Sequence, residues 1–310
     1  MQNDALDPTY GYDRQRLLQV SAPDGPPNFA AFWQSTFAEA QGVPLHVERR
    51  QVASPDPNVE VWEVEFDSLG GVRIGGWITV PVDGQFRRGV VVGHGYGGRS
   101  EPGLDLPGPA AVAIFPCARG FDRSAHAHIP GDAARHVLHG IARRETYVHR
   151  GCVADLWCAA ATLLELFPQV AHTLHYHGAS FGGGIGALAL PWDTRFHKAF
   201  LDVPSFGNHP LRVQLPCTGS GESVRRYHRR HPEVLEVLGY FDAATAARHI
   251  RIPVFVAAAL FDPAVPPPGQ FAVYNALAGP KELFVRRTGH PDDVADNEEL
   301  FARLSRWFSE

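Results

Sequence analysis

Apolar positions along this chain first alternate with polar ones and then run together. In Val59 to Ser68, "VEVWEVEFDS", the two kinds of residue take turns, and "VRIGGWITVP" follows almost at once. Two such stretches in succession predict an antiparallel pair with one covered face, at the edge of a sheet. Further on the runs are continuously apolar: "GVVVGHG" (Gly89 to Gly95), "AVAIFPCARG" (Ala111 to Gly120), "HTLHYHGAS" (His172 to Ser180), "KAFLDVP" (Lys198 to Pro204), "PVFVAAALFD" (Pro253 to Asp262) and "KELFVRRTGH" (Lys281 to His290). Strands buried on both faces read this way. Between them lie helical patterns, notably Tyr147 to Phe167 and a C-terminal stripe of Leu300, Phe301, Leu304, Trp307 and Phe308. The alternation predicts an α/β protein with a mainly parallel central sheet, an antiparallel edge and helices on both faces.

The pattern lapses between Pro204 and Ala243, after the sixth core strand counted from Val59. A segment that long without a core strand reads as an insertion, 205–243, that serves as a lid or an interface over the active face. No internal repeat or low-complexity linker divides the chain, so residues 1–310 are expected to form a single domain.

Composition narrows the function classes. With 45% hydrophobic residues, 20% charged, 31 Gly and 26 Pro, the 310-residue chain suits a loop-rich globular protein. A formal net charge of -5 with dispersed basic residues argues against nucleic acid as a partner, and the densest basic run, "SVRRYHRRH", reads as a solvated helix face. The start has no basic region followed by an apolar one, and no apolar run is long enough to cross a bilayer, so a soluble, cytoplasmic protein without a membrane partner is expected. Cys117, Cys152, Cys158 and Cys217 form no CxxC pair and no zinc spacing; free thiols and no metal site are expected.

The chemistry concentrates in "HYHGASFGGGI", His175 to Ile185, where a strand passes through Gly178-Ala179-Ser180-Phe181-Gly182 into a small-residue helix. In that context the G-x-S-x-G pattern lifts a serine hydroxyl off the sheet edge on a strained turn. A serine needs a base in reach and an acid to orient the base. Asp262 in "LFDPAVPP" and His290 in "RRTGHPDD" each follow a strand, in the order Ser, Asp, His. Asp202 in "FLDVP" is a competing acid, but it sits inside its strand signal. An oxyanion would need two backbone N–H groups, assigned to Tyr96 in the glycine-rich "GHGYGGR" and to Phe181 after the serine. The pairs His175/His177 and His126/His128 lack acidic neighbours and read as ordinary packed or loop histidines rather than metal ligands.

With these residues in place the chain resembles the acetyl xylan esterase and cephalosporin C deacetylase family of α/β-hydrolases. The resemblance runs from "FAAFWQSTFAEA" through "HGYGGR", "ARG", "GASFGGG" and "LDVPSF" to "YFDAATAARHIRIPV" and "FDPAVPPPGQFAVYNALAGPKEL". It implies a cofactor-free serine hydrolase that removes acetyl groups from sugar hydroxyls and other small alcohols through an acyl-enzyme. Ser180, Asp262 and His290 take the triad positions, and Tyr96 stands at the oxyanion loop. It also implies a homo-oligomer, typically a hexamer of two trimers, whose inward-facing sites admit small acetylated substrates.

The family's signatures are altered at four places. Phe121 and Phe181 stand where glutamines are usual, Pro291 where a glutamate follows the histidine, and Cys117 where an aspartate precedes Arg119 by two. Tyr96, Phe121, Phe181 and Pro204 are therefore expected to wall a drier pocket, with the two phenylalanines in contact, for an alcohol less sugar-like than usual. Pro291 is expected to open the final helix, whose first turn is acidic. A dienelactone hydrolase or a serine peptidase on the same fold is the alternative enzyme, because fold alone does not choose the acyl substrate. A catalytically weak binding protein that kept the scaffold is the alternative of another class.

Overall fold

A computed structural model describes residues 6–287, 289–290 and 294–310. One sheet of nine strands organises them, in the order β1-β2-β3-β5-β4-β6-β7-β8-β9. The strands are β1 (Glu48–Val52), β2 (Val59–Ser68), β3 (Val72–Pro81), β4 (Arg88–Gly93), β5 (Ala111–Pro116), β6 (Leu174–Ala179), β7 (Phe196–Asp202), β8 (Val254–Ala259) and β9 (Lys281–Arg286). The helices before the middle of the sheet are α1 (Arg14–Leu17), α2 (Phe29–Gln41), α3 (Ala133–His136), α4 (Val148–Leu166) and α5 (Phe181–Ala189). Those after it are α6 (His209–Arg212), α7 (Ser220–His228), α8 (Val234–Leu238), α9 (Ala243–Ala247), α10 (Pro267–Ala276) and α11 (Val294–Ser309).

The alternating pair forms β2 and β3, antiparallel from Val59↔Pro81 to Ser68↔Val72. It is not the edge of the sheet. β1, "ERRQV", pairs outside β2 and was not anticipated, because a strand exposed on both faces carries no apolar signal. The strand that precedes the insertion is consequently β7 rather than the sixth. From β4 to β9 all neighbours are parallel, and β8 is buried at every position, as its unbroken apolar run requires.

β4 lies between β5 and β6, so the chain leaves it in one direction and later returns on its other side. The loops after β4 and β6 therefore open onto a common crevice, the place where open α/β sheets hold ligands. Gly93 pairs with Gly178 across this point.

One face is covered by α2, α4 and α5. α2 buries Phe29, Trp33, Thr36 and Ala40, a helical stripe that sets Trp33 edge-on to Trp157 of α4. On the other face Leu300, Leu304, Trp307 and Phe308 of α11 pack on Phe255 and Phe284. Phe301, expected in that stripe, is 38% exposed: at 3.6 residues per turn it lies at the rim of the buried arc, about 20° beyond Phe308. The reading of Pro291 as a helix opener falls outside the described residues.

Residues 205–243 contain α6, α7 and α8 and no strand. The buried carboxylate of Asp242 closes the segment on itself. It accepts N–H groups from Asn208 and His209 at one end and from Ala244 and Thr245 at the other. All four cysteines are free and buried. Among the described residues no helix is long and apolar enough to cross a membrane.

Candidate active site

Ser180 sits between the end of β6 and the start of α5 with φ +53° and ψ −112°, a conformation non-glycine residues avoid. The turn is held by its neighbours: Ser180 N–H donates to Asp202 O at 2.8 Å, and Ser205 N–H donates to Ser180 O at 3.0 Å. The flanking glycines serve close approach. A Cβ on Gly182 would lie 2.8 Å from Gly93 C and His94 O, and one on Gly178 would lie 2.6 Å from Gly182 O. The strain is thus carried by the serine itself, while the glycines let α5 settle against β4 and its loop.

Because β8 and β9 are parallel neighbours, the residues beyond their C-terminal ends meet. His290 Nδ1 lies 2.8 Å from Asp262 Oδ2. The Asp262 carboxylate is wholly buried and fully engaged: Oδ1 accepts the N–H groups of Ala264 and Val265, and Oδ2 also accepts the Gln270 amide at 3.1 Å. Gln270, from α10, donates as well to Val265 O and accepts from Ala259 N–H, so it braces the acid loop against β8. With a carboxylate at Nδ1, the imidazole carries its proton there and presents Nε2 as a base.

Asp202, the competing acid, is committed elsewhere. Both its oxygens pair with the Arg286 guanidinium, at 2.8 and 2.7 Å, and both residues are buried.

The loop after β4 is set by His94. Its Nε2 accepts Ala118 N–H at 2.8 Å, so Nδ1 is the protonated nitrogen and donates to Gly95 O at 2.6 Å. Burial holds the His94 pKa down to about 4, which keeps the ring neutral. This places Gly95 where an added Cβ would stand 3.9 Å from Ser180 Cβ. Phe181 is the first residue of α5, and helix starts leave such N–H groups without an intrahelical acceptor.

Tyr96, Phe121 and Phe181 come together. Tyr96 stacks on Phe181 at 4.1 Å between ring centroids, and Phe121 lies 6.5 Å from Phe181. Both phenylalanines and Pro204 are buried and present no open surface. His136 and His149 join this cluster and were not singled out in the sequence. His136 Nε2 must donate to Arg119 O at 3.0 Å, which makes Nδ1 an acceptor for the Tyr96 hydroxyl at 3.3 Å. The Tyr96 oxygen in turn accepts His149 Nε2–H at 2.8 Å, leaving the lone pair of His149 on Nδ1. Burial depresses both histidines, His136 to about 4, so the relay is neutral.

Arg119 anchors the loop after β5. Its guanidinium takes both oxygens of Asp155 on α4, which also accepts from Ser68 at 2.6 Å. Burial is the largest influence on Arg119 and alone would depress it, yet the charge of Asp155 and its hydrogen bond together hold the pKa above its ordinary value. Cys117 is buried beside this loop, with its thiol pushed up to about 11 by burial. His175 and His177 stack on Phe308 at 5.2 and 4.6 Å, in keeping with packed histidines. Among the described residues no cluster of His, Cys, Asp and Glu suits a metal ion.

A mostly parallel sheet, helices on both faces and a serine on a strand-to-helix turn at the switch point make up the α/β-hydrolase arrangement. Within that class the chain belongs to the acetyl xylan esterase family, whose pattern, Acetyl xylan esterase (AXE1), matches residues 20–307, and it is thereby placed among carboxylic ester hydrolases. It is similar to an acetyl xylan esterase from Paenibacillus sp. R4, with a TM-score of 0.83 and 27% identity over 96% of this chain and 99% of that one. Acetyl xylan esterase 1 of Thermoanaerobacterium sp. JW/SL YS485 shares the fold, with a TM-score of 0.82 and 19% identity over 96% and 99% of the two chains. Among curated proteins it is 21% identical over 150 residues to acetyl esterase Axe7A of Xylanibacter ruminicola, a match that spans 48% of this chain and 34% of that relative. An acylaminoacyl peptidase of Pyrococcus horikoshii has the same fold at a TM-score of 0.61 and 14% identity, over 91% of this chain and 43% of that one.

Proposed function

We propose that the protein is a serine esterase that releases acetyl and similarly small acyl groups from sugar or other small alcohol esters. The observation that carries the reading is the pairing of His290 with the buried Asp262, at 2.8 Å, on the loops after β8 and β9, beyond β7 in the sheet from the strained Ser180 turn. In this reading Ser180 Oγ attacks the ester carbonyl as His290 Nε2 takes its proton. The Asp262 carboxylate stabilises the imidazolium that forms. The N–H groups of Tyr96 and Phe181 receive the developing oxyanion. His290 then returns the proton to the leaving alcohol. The same imidazole activates the water that releases the acid from Ser180.

Tyr96, Phe121, Phe181 and Pro204 limit the acyl chain and exclude water, and the segment 205–243 covers the alcohol side or an adjoining subunit. The stacking of Tyr96 on Phe181, where a polar residue is usual, supports an alcohol less sugar-like than acetylated xylan. The names of its relatives make acetylated xylan fragments the natural comparison substrate.

The test is hydrolysis of p-nitrophenyl acetate, butyrate and octanoate by the wild type and by Ser180→Ala, with fluorophosphonate labelling alongside. Fast acetate turnover that disappears in the variant is the expected result. Absence of turnover with Ser180 unlabelled would instead favour a binding protein on this scaffold. Acetylated xylose measured beside aryl acetates reads the alcohol preference, and selective turnover of the sugar would overturn the drier-pocket reading.

A further inference from the structure

Arg212, the last residue of α6, is 5% exposed, and its Nε and Nη1 are buried without any hydrogen-bond partner. The acidic groups around it are already used. Glu222 gives its oxygens to Arg225 and Arg226, Asp242 takes four backbone N–H groups, and Asp262 is filled as described. A guanidinium taken out of water without a counter-charge is strongly unfavourable unless something compensates it. The ring of Phe206, 5.3 Å from Cζ, offers only a weak cation–π contact.

The surroundings are polar and equally unmatched. Tyr10 and Tyr147 bury hydroxyls without partners, and His149 and His209 bury an unpartnered Nδ1. The rings of Tyr147 and His149 lie 4.4 Å apart, and Phe206 stands 4.5 Å from His149 and 6.2 Å from His209. Phe206 thus connects Arg212 to His149 and His209, and His149 connects to Tyr147, while the charge of Arg212 reaches Tyr10 as well. Buried donors and acceptors that share a neighbourhood yet do not bond to one another need a bound water, ion or ligand to satisfy them.

That neighbourhood adjoins the catalytic turn. Phe206 lies 6.1 Å from Phe181, and Ser205, the residue before it, donates its N–H to Ser180 O. We propose that Arg212 is the receptor for a carboxylate carried by the ester substrate, so that the preferred esters of this enzyme are anionic. The inference rests on the esterase reading and deepens it. Nε and Nη1 face opposite edges of the guanidinium, so one of them would donate to the carboxylate in a single charge-assisted hydrogen bond, and the Tyr10 and Tyr147 hydroxyls would complete its hydrogen bonding. The compounds of this class are acetyl esters of hydroxy or sugar acids and half-esters of dicarboxylic acids.

Two matched pairs of esters test it. 4-Acetoxybenzoate against its methyl ester puts the carboxylate on the alcohol, and phenyl hydrogen succinate against methyl phenyl succinate puts it on the acyl group. In wild type the charged member of one pair is expected to lead in kcat/KM, and the side on which it leads tells which part of the substrate Arg212 faces. Arg212→Met is expected to cut the charged-to-neutral ratio by about 100-fold, the scale for truncating one partner of a buried charge pair. Arg212→Lys, which keeps the charge and changes the placing of the donors, should retain part of the ratio and decides the matter if the methionine variant does not fold. Equal turnover of charged and neutral members by wild type, or an unchanged ratio in the variants, overturns the proposal.

Binding separates this inference from the esterase reading. 4-Hydroxybenzoate is expected to raise the Tm of wild type and not that of Arg212→Met, even if no ester is hydrolysed. A Tm that responds to inorganic phosphate alone, or to neither anion, overturns the carboxylate site.

Discussion

Replacing Asp262 by Asn tests the proposed catalytic role most sharply, because the change is nearly isosteric and its consequence can be worked out atom by atom. Oδ1 accepts two backbone N–H groups, and Oδ2 accepts His290 and the Gln270 amide. An asparagine has one oxygen and one NH2. The two backbone donors cannot change, so the oxygen stays on Ala264 and Val265, the NH2 faces His290 and Gln270, and the imidazole can keep its partner only by moving its proton from Nδ1 to Nε2. His290 would then present a proton where a base is required. Such a wrong tautomer lowers kcat by about 10,000-fold in serine hydrolase triads. At about 1.4 kcal/mol per tenfold this is about 5 kcal/mol of transition-state stabilisation. The assay is kcat for p-nitrophenyl acetate, with Ser180→Ala as the background and Tm as the check on folding. A folded Asp262→Asn protein that retains a tenth or more of wild-type kcat would refute the assignment of Asp262 as the orienting acid.

Asp202→Asn should behave in the opposite sense, as a stability variant: it strips the counter-charge from Arg286, which is 2% exposed, and is expected to lower unfolding free energy by about 3–5 kcal/mol in urea titrations. An unchanged urea midpoint would contradict the structural role given to that pair. Acid should destabilise the fold through its buried histidines. His94 and His136 titrate near 4 in the folded state because burial opposes their charge, whereas unfolded histidines titrate near 6.5. Their contribution is complete above about pH 6.5 and is lost as pH falls towards 4, at up to about 1.4 kcal/mol per histidine per pH unit. Unfolding titrations at pH 7, 6 and 5 read this slope, and stability that holds or rises on acidification would be inconsistent with neutral buried histidines.

Several features could be read from the chain because their causes are local. A strand buried on both faces must be apolar throughout, so β4 to β9 announced themselves, and β2 and β3 showed the alternation of one covered face. The Ser180 turn was legible because a strand, a serine between glycines and a run of small residues are neighbours in sequence. β1 escaped because an exposed edge strand has no hydrophobic period, and Phe301 misled because periodicity gives the stripe but not the width of sheet that it meets.

The sequence alone was enough to set Ser180, Asp262 and His290, in that order, each behind a strand and to group the altered signature positions. Only the tertiary structure gave the two aspartates their partners: Asp202 meets Arg286 across 84 residues, while Asp262 meets His290 and Gln270. It alone stacked Tyr96 on Phe181, threaded the tyrosine between two neutral histidines, and set Arg212 among unpaired polar groups. The division has one physical reason. Periodicity and turn chemistry act over a few residues, whereas the partner of a buried charge is chosen by which strand ends and helices the sheet brings side by side.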